Sequence, residues 1–336
     1  MRHGIAVAGN LIVDAIKLIS TFPGRHELAA IESVALSTGG LCANVSCDLA
    51  RLSDQLPLTA IGLVGADGYG ELILSALRDY PSIDISHIGT QNETSFTDVL
   101  TEKSTRARTF LTFAGSNGDF DICHVPLDDL NCKILHAGYI MLLPKLDAPD
   151  PEFGTRMARL LHDAQALGIK TSIDMITDAH NRYHQFVPPA LKYCDYCIIN
   201  ETEAGAVSGI SLRNADGELQ AHLIEGALRK LKQMGVSHWA VVHCPEGGFG
   251  IDHHHHYHQV PGVALAPDQI VSTVGAGDAF CAGMLFAAHE QMAMDKALQL
   301  ASGAAALSLL SMGASDGVPT AEVALSYYET AEKQTM

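Results

Sequence analysis

The sequence predicts an α/β fold: a three-layer α/β/α arrangement with a doubly wound, mostly parallel sheet and a small β-sheet lid. Short apolar runs of strand character alternate with segments of helical periodicity over most of the chain, which is the pattern of repeated βαβ units. This rhythm is lost at about residues 11–36 and 95–115, where polar and apolar residues alternate as in half-exposed strands. We therefore expect one domain, residues 1–336, in which these two segments form the lid over a pocket.

The composition argues against several classes of partner. The 336 residues include 21 lysines and arginines and 38 aspartates and glutamates, which gives a formal net charge of −17. Nucleic acid and anionic membranes repel such a chain, so we expect neither as a partner. No apolar run approaches the ~18 residues of a membrane span, no secretory signal is visible, and the eight cysteines are scattered. These features predict a cytoplasmic protein with reduced thiols.

The first part of the chain supplies candidate residues for binding a polyhydroxylated substrate. A buried strand is predicted at Ile5–Gly9, and Asp14 follows its carboxyl end, where open α/β sheets bind ligands. The Asp14 carboxylate suits two sugar hydroxyls, and a simple turn role fits the sequence equally well. Gly39 and Gly40 would let a ligand approach the backbone closely. Asn44 opens the next predicted helix, and we expect it either to cap that helix or to turn its amide toward a ligand.

The remaining elements follow from the same periodicities. Arg106 lies in the second lid segment and is a candidate for contact with the substrate, although exposed arginines are usually only solvated. The histidine-rich stretch 253–258 is interpreted as a hairpin tip, with a native metal role as the less favoured alternative. The predicted strands are 58–64, 133–137, 170–174, 196–200 and 237–243, and the predicted helices are 45–52, 71–77, 152–167, 218–234, 278–289 and 295–311.

One helix start combines an amide and a carboxylate. Asn200 ends a predicted strand, and Glu203 follows in the first turn of the next helix. Acidic groups at a helix N-terminus complement the helix dipole, which is the simple interpretation. Both residues are also candidates to organise Mg²⁺ through water, because this ion keeps much of its hydration and takes few direct protein ligands.

The turn Ser-Thr-Val-Gly-Ala-Gly-Asp at 272–278 carries the strongest functional signal. Gly275, Ala276 and Gly277 leave backbone N–H groups uncovered at a predicted helix N-terminus, which is a suitable place for an anion. Asp278 would repel a resting phosphate there. It could instead take a proton from a hydroxyl while the amides hold a transferring phosphoryl group. The structural alternative is a carboxylate that only complements the helix dipole. We favour phosphoryl transfer.

Taken together, these segments resemble the ribokinase-like, or PfkB, carbohydrate kinase family over nearly the whole chain. Any one of the motifs is weak evidence, but four of them stand in the family's order. They are Gly39-Gly40 with Asn44 and residues 49–52, the stretch 62–70, the stretch 200–203, and the stretch 273–278.

The resemblance implies transfer of the γ-phosphoryl group of ATP, with Mg²⁺, to a hydroxyl of a sugar or nucleoside. It implies that Asp278 is the general base, that the amides of residues 275–277 form the anion hole, and that Glu203 organises Mg²⁺ through water. It also implies a lid that often mediates homodimers and, in many members, a monovalent cation beside the anion hole. The implied acceptor residues are Asp14, Gly40 and Asn44, to which the sequence adds Gly39 and the lid residue Arg106 as candidates. The candidate nucleotide residues are Asn200, Glu203, Thr273, Gly248 and Ser302.

Three positions depart from the family pattern. Ser272 replaces the usual aspartate, which helps to bind the monovalent cation in some members, so the expectation of potassium activation is weakened. His243-Cys244-Pro245 replaces a Thr-x-Gly type segment, and Pro245 has no N–H to offer a phosphate. The segment 174–177 lacks the arginine of the usual Asp-x-Asn-x-Arg type motif. Two alternatives to a sugar kinase are therefore kept: a nucleoside kinase of the same family, and a sugar-binding or regulatory protein without turnover.

Overall fold

The computed structural model describes residues 2–105, 107–178 and 181–335. A nine-stranded sheet lies between two helical layers, and a separate four-stranded sheet stands beside it. The predicted α/β fold with a small lid sheet is therefore confirmed. The strands are β1 Ile5–Gly9, β2 Ile12–Ile19, β3 Ile31–Gly39, β4 Leu58–Val64, β5 Ile83–Thr90, β6 Phe96–Glu102, β7 Arg108–Phe113, β8 Ile134–Ile140, β9 Pro149–Asp150, β10 Gly154–Thr155, β11 Lys170–Met175, β12 Tyr196–Asn200, β13 Trp239–Cys244, β14 Gly247–Ile251 and β15 Tyr257–Pro261. The α-helices are α1 Leu41–Leu52, α2 Gly68–Arg78, α3 Pro144–Asp147, α4 Arg156–Ala166, α5 Tyr183–Leu191, α6 Glu201–Ser208, α7 Ala221–Met234, α8 Ala276–His289, α9 Met294–Ser308 and α10 Ala321–Thr330.

The order of the large sheet brings the ends of distant strands together. The order is β15-β14-β13-β12-β11-β8-β1-β4-β5. All neighbouring pairs from β13 to β5 are parallel, whereas β14 and β15 form an antiparallel hairpin. Strand order runs outward in both directions from β1, so the carboxyl ends of β1, β4 and β8 flank a topological switch point. Ligands of open α/β sheets bind in the crevice at such a point.

Alternation along β1 shows how the sheet is fixed between its two helical layers. Ile5 and Val7 pack with α1, α2, α8, α9 and α10, whereas Ala6 and Ala8 pack with α4, α5, α6 and α7. Successive side chains of a strand point to opposite faces. Full burial of an isoleucine or valine side chain contributes roughly 1.5–3 kcal/mol, so both layers hold the strand in register.

The small sheet consists of the two segments predicted as a lid. Its order is β3-β2-β6-β7, with β2 and β6 parallel and the outer pairs antiparallel. Only Asn10 and Leu11 separate β1 from β2, and β3 leads directly into α1. The lid is therefore anchored at the carboxyl edge of the large sheet. Its exposed apolar side chains include Ile31, Val34, Leu36, Phe110, Leu111 and Phe113.

The prediction for the start of α1 was wrong. The helix begins at Leu41 and not at 45, because Gly40 serves as its N-cap with a φ of 88° that favours glycine. Asn44 consequently lies inside the first turn, where its N–H donates to the Gly40 carbonyl oxygen at 3.0 Å. The capping role expected for Asn44 is excluded, and its side chain is free for another contact.

Other differences have local causes as well. Helix α4 begins four residues later than predicted, because Thr155 Oγ1 accepts a hydrogen bond from Ala158 N at 3.2 Å and sets the N-cap there. Strand β5 and helix α10 were not predicted, so a third helix follows the two expected at the end of the chain. The histidine-rich segment does lie at the tip of the β14–β15 hairpin, as predicted.

Gly9→Ala tests the close approach of β1 to β8. A Cβ atom at Gly9 would lie 1.7 Å from the Gly138 carbonyl oxygen, so the two backbones would have to separate. We expect the free energy of unfolding, measured by urea denaturation, to fall by roughly 3 kcal/mol. Gly68→Ala is the matched control, because a Cβ atom there meets nothing within 4 Å and alanine favours helix. Equal stability of the two variants would contradict the packing described.

Candidate active site

The N-terminus of α8 has the geometry of an anion site. Gly275 is the N-cap, with a φ of 82° in the left-handed region, and a Cβ atom there would lie 2.1 Å from the Ala314 carbonyl oxygen. Both facts require glycine. The first N–H groups of an α-helix have no intrahelical acceptor, so those of Ala276 and Gly277 are available to an anion.

Asp278 is the buried acid of this first turn. Its Oδ2 accepts a hydrogen bond from Asn44 Nδ2 at 2.8 Å, and its Oδ1 accepts one from the Tyr139 hydroxyl. Burial raises the pKa of Asp278, while the hydrogen bonds from Tyr139 and Asn44 oppose that effect. The structure thus brings together Asn44 and Asp278, which lie in the family's two signatures, and adds a third group from the end of β8.

Asp174 interacts electrostatically with Asp278 and also with a third carboxyl group, that of Glu203. Asp174 is near the end of β11 and Glu203 is in the first turn of α6, and both are buried. Burial, and next the charges of Glu203 and Asp278, raise the pKa of Asp174 well above its usual value. Burial also raises the pKa of Glu203. The charges of two other acids therefore act on Asp174.

The acidic start of α6 is held by a reciprocal cap. Asn200 Oδ1 accepts from Glu203 N at 2.9 Å, and Glu203 Oε2 accepts from Asn200 N at 3.0 Å. Thr177 Oγ1 donates to Glu203 Oε1 at 3.0 Å. Each carboxylate oxygen keeps a second lone pair. Oxygen donors with concentrated negative charge fit a hydrated hard cation such as Mg²⁺, so the structural and the metal-organising interpretations are compatible.

A cleft of about 400 Å³ opens beside the first turn of α8. Its size lies within the range of ligand pockets. Five of the predicted site residues line it: Asn200, Thr273, Ala276, Gly277 and Ser302. The lining also includes five apolar residues, Val263, Ile270, Ala305, Ala306 and Leu309. Free amides and apolar side chains in one cleft suit the phosphates and the base of a nucleotide.

The unusual segment at the end of β13 also lines this cleft. The His243 ring stacks on Phe280 with centroids 4.8 Å apart, and a Cβ atom at Gly277 would lie 3.5 Å from His243 Cε1. Burial lowers the pKa of His243 to about 4, so the ring is neutral at pH 7. A neutral imidazole therefore faces the anion site. Gly248, in contrast, packs against Phe280 and does not line the cleft, whereas its neighbour Gly247 does.

The acceptor candidates meet where the lid joins the core. A Cβ atom at Gly39 would lie 2.7 Å from Asp14 Oδ2, and one at Gly40 would lie 2.5 Å from the Asn10 carbonyl oxygen. Burial raises the pKa of Asp14 to about 6. Gly39 and Gly40 lead into the helix that carries Asn44, so four candidates share this corner. Arg106 lies outside the described residues.

Sequence reasoning missed Tyr139 as a site residue and treated Asp174 and His243 only as departures from a motif. All three lie near the carboxyl ends of parallel strands of the large sheet, β8, β11 and β13. That position is the signal that could have identified them, because the strands of an open α/β sheet present their ligand-binding residues there.

The model of the pfkB family of carbohydrate kinases matches residues 2–321. The chain belongs to this family. It is 23% identical over 338 residues to the ribokinase of Haemophilus influenzae, covering 98% of this chain and 100% of the relative. The structure of the Arabidopsis thaliana ribokinase complexed with ribose and ATP is similar, with a TM-score of 0.79, 21% identity and coverage of 98% and 100% of the two chains. A ribokinase II-type protein of E. coli in complex with ATP and Mg²⁺ has a TM-score of 0.75 and 18% identity, with coverage of 97% and 99%.

Among the described residues, no helix is both long enough and apolar enough to cross a bilayer.

Asp14→Asn tests whether partial burial raises the pKa of the Asp14 carboxyl group. The pKa of Asp14 rises from 3.8 to about 6 on folding, so between these values the folded protein binds more protons at this site than the unfolded chain. The stabilisation is present below about pH 4 and is lost as the pH rises through 6. We expect Asp14→Asn to raise the free energy of unfolding more at pH 7.5 than at pH 4.5, as measured by urea denaturation. The exposed Asp54→Asn controls for the change in net charge, and an equal effect of Asp14→Asn at both pH values would refute the assignment.

Proposed function

We propose that the chain is an ATP- and Mg²⁺-dependent kinase that phosphorylates a hydroxyl of a small carbohydrate. One observation carries the proposal: buried Asp278 is held by Asn44 and Tyr139 in the same helical turn that lines the 400 Å³ cleft. A carboxylate fixed beside free amides is suited to receive a proton while the amides bind phosphoryl oxygens. Membership in the pfkB family supports this assignment.

In the proposed mechanism, Asp278 accepts the proton of the attacking hydroxyl as general base. Asn44 and Tyr139 fix the direction of its carboxylate, and the amides of Gly275, Ala276 and Gly277 stabilise charge on the transferring group. A positioned base contributes about 10²–10⁴ to the rate, which is roughly 3–5 kcal/mol of barrier. Closure of the lid would exclude water and so limit hydrolysis of ATP.

The buried carboxyl groups of Asp174 and Glu203 support the proposed metal. Glu203 would hold Mg²⁺ through water, with Asn200 beside it, and the bound ion would neutralise phosphate charge. The Arabidopsis ribokinase with ATP and the E. coli protein with ATP and Mg²⁺ are consistent with this assignment. A monovalent cation is a weaker expectation, because the Ser272 hydroxyl brings no charge and already accepts a hydrogen bond from Val274 N at 3.2 Å.

The acceptor class rests on the corner formed by Asp14, Gly39, Gly40 and Asn44. A carboxylate and an amide at a glycine turn suit vicinal hydroxyls, and the ribokinase relatives favour a sugar. The alternatives are phosphorylation of a nucleoside and sugar binding without turnover.

We further propose that residues 1–336 act as one cytoplasmic unit and that the exposed apolar lid pairs two copies. No nucleic acid or membrane partner is proposed.

Asp278→Asn tests the base. The change keeps the shape of the side chain and removes its proton acceptor, so we expect turnover to fall by roughly 10²–10⁴ with a modest change in substrate binding. ADP release from ATP and Mg²⁺ should be followed across sugars, sugar acids, sugar phosphates and nucleosides. Asp295→Asn, at the exposed start of α9, is the matched control. Turnover near that of the wild type in Asp278→Asn would refute the base assignment. If the folded wild type releases no ADP with any compound of the panel, binding without turnover is favoured.

Tyr139→Phe tests the hydroxyl that donates to the base. Its hydrogen bond favours the ionised form and lowers the pKa of Asp278. Without it the pKa should rise, so the acid limb of the kcat/KM profile should move to higher pH. Tyr327→Phe in α10 is the control for loss of a tyrosine hydroxyl. An acid limb at the wild-type position in Tyr139→Phe would show that this contact does not tune the base.

A further inference from the structure

A second cavity, of about 560 Å³, has a basic lining. None of its described lining residues is an aspartate or a glutamate, although the chain as a whole has 38 acidic and only 21 basic residues other than histidine. The cavity lining is thus positively charged, whereas the chain as a whole is negatively charged. Six of the thirteen described lining residues are basic or imidazole side chains: Arg2, Lys133, Lys170, His238, His253 and His289.

This cavity lies at the opposite edge of the large sheet from the candidate active site. Its lining includes residues at or just before the first positions of β8, β11, β12 and β13, namely Lys133, Lys170, Tyr196 and Trp239. The same four strands end near Tyr139, Asp174, Asn200 and His243. A strand of five to seven residues spans roughly 15–20 Å, so the two cavities are separate. Helix α8 also runs between them, from the anion site to His289.

Two cations of the cavity are not neutralised by carboxylates in the described contacts. Lys133 Nζ donates to the carbonyl oxygen of His289 at 3.3 Å, and the Arg2 guanidinium donates to the carbonyl oxygens of Leu130 and Leu167. Neither contact uses all of the donor's N–H groups. Positive charge and free donors therefore face the cavity.

The carboxylates nearest to the lining are already engaged. Asp195 Oδ1 pairs with Lys170 at 2.9 Å, and the same carboxylate accepts hydrogen bonds from Thr171, Gln165 and Ser237. Glu290 Oε1 lies 2.7 Å from His289 Nδ1. Asp195 thus neutralises Lys170, whereas Lys133 and Arg2 have no carboxylate partner in the described contacts.

An aromatic wall completes the cavity. Tyr196 contacts Trp239 and His238 edge to face, with centroids 5.5 and 5.6 Å apart, and His238 stacks on His253 at 6.0 Å. Apolar and imidazole surface beside two uncompensated cations suits a phosphate ester with an organic body. We propose that this cavity binds a small phosphorylated metabolite, either a nucleotide or a sugar phosphate, at a site distinct from the nucleotide cleft.

Trp239 is the single tryptophan of the chain, so its fluorescence reports on this cavity directly. The probes are AMP, a pentose 5-phosphate and inorganic phosphate, each titrated into the wild type at fixed ionic strength. We expect a saturable change of Trp239 emission with at least one organic phosphate. A stronger response to AMP would indicate a nucleotide, and a stronger response to the pentose phosphate would indicate a sugar phosphate. Absence of a saturable change with all three probes at millimolar concentration would overturn the proposal.

Variants separate this site from the nucleotide cleft. Lys133→Gln, alone and with Arg2→Gln, should weaken binding about tenfold or more, because each removes a charged donor. Lys296→Gln, an exposed lysine of α9 paired with Glu329, is the matched control and should bind as the wild type does, as should Asp278→Asn. If Arg2→Gln impairs folding, Lys133→Gln decides alone. Equal affinity of Lys133→Gln and Lys296→Gln would overturn the proposal, whatever the outcome for kinase activity.

Discussion

The hydrogen bond from Asn44 to Asp278 joins residues 234 positions apart in the chain, and the candidate site depends on it. It links the first turn of α1, which follows the glycine corner of the lid, to the first turn of α8, which lines the cleft. Both groups are buried, and a buried charged acceptor is costly unless it is paired. The bond therefore aligns two helix starts and also makes a carboxylate tolerable at this depth.

Other buried acids lie around this bond. Asp174 interacts with both Asp278 and Glu203, and Asp48 lies one turn beyond Asn44. Asp48 is fully buried, and neither of its carboxyl oxygens has a hydrogen-bond partner among the described residues. Burial, and next the charge of Asp278, raise its pKa well above the usual value. Such an arrangement lowers stability in the free protein, and natural proteins accept this where function requires it.

The parts of the fold set by local pattern were predictable from the sequence. Strands β1, β4 and β12 have the predicted bounds, because each is a short apolar run between clear turn residues. The glycine turn before α8 was also located, since glycines just before a helix indicate a close approach to the backbone. Boundaries that depend on a single backbone angle or cap, as at Gly40 and Thr155, were displaced by four residues.

Contacts between segments far apart in the chain could not be predicted from the periodicity of the sequence. Tyr139 meets Asp278 only because β8 lies between β1 and β11, and strand order cannot be read from one sequence. The same limit applies to His243, whose ring lies against Gly277. The basic cavity is a further example: its cations come from the starts of separate strands and from the N-terminal segment, and in sequence they are isolated among a majority of acids.

The raised pKa values at the centre of the site have a consequence for measurements of binding heat. A cation that entered among carboxyl groups with raised pKa values would release protons from them, because the cation favours the ionised form. The released protons are taken up by the buffer. The apparent enthalpy of binding a metal–nucleotide complex should therefore change with the ionisation enthalpy of the buffer. The slope of this dependence gives the number of protons released.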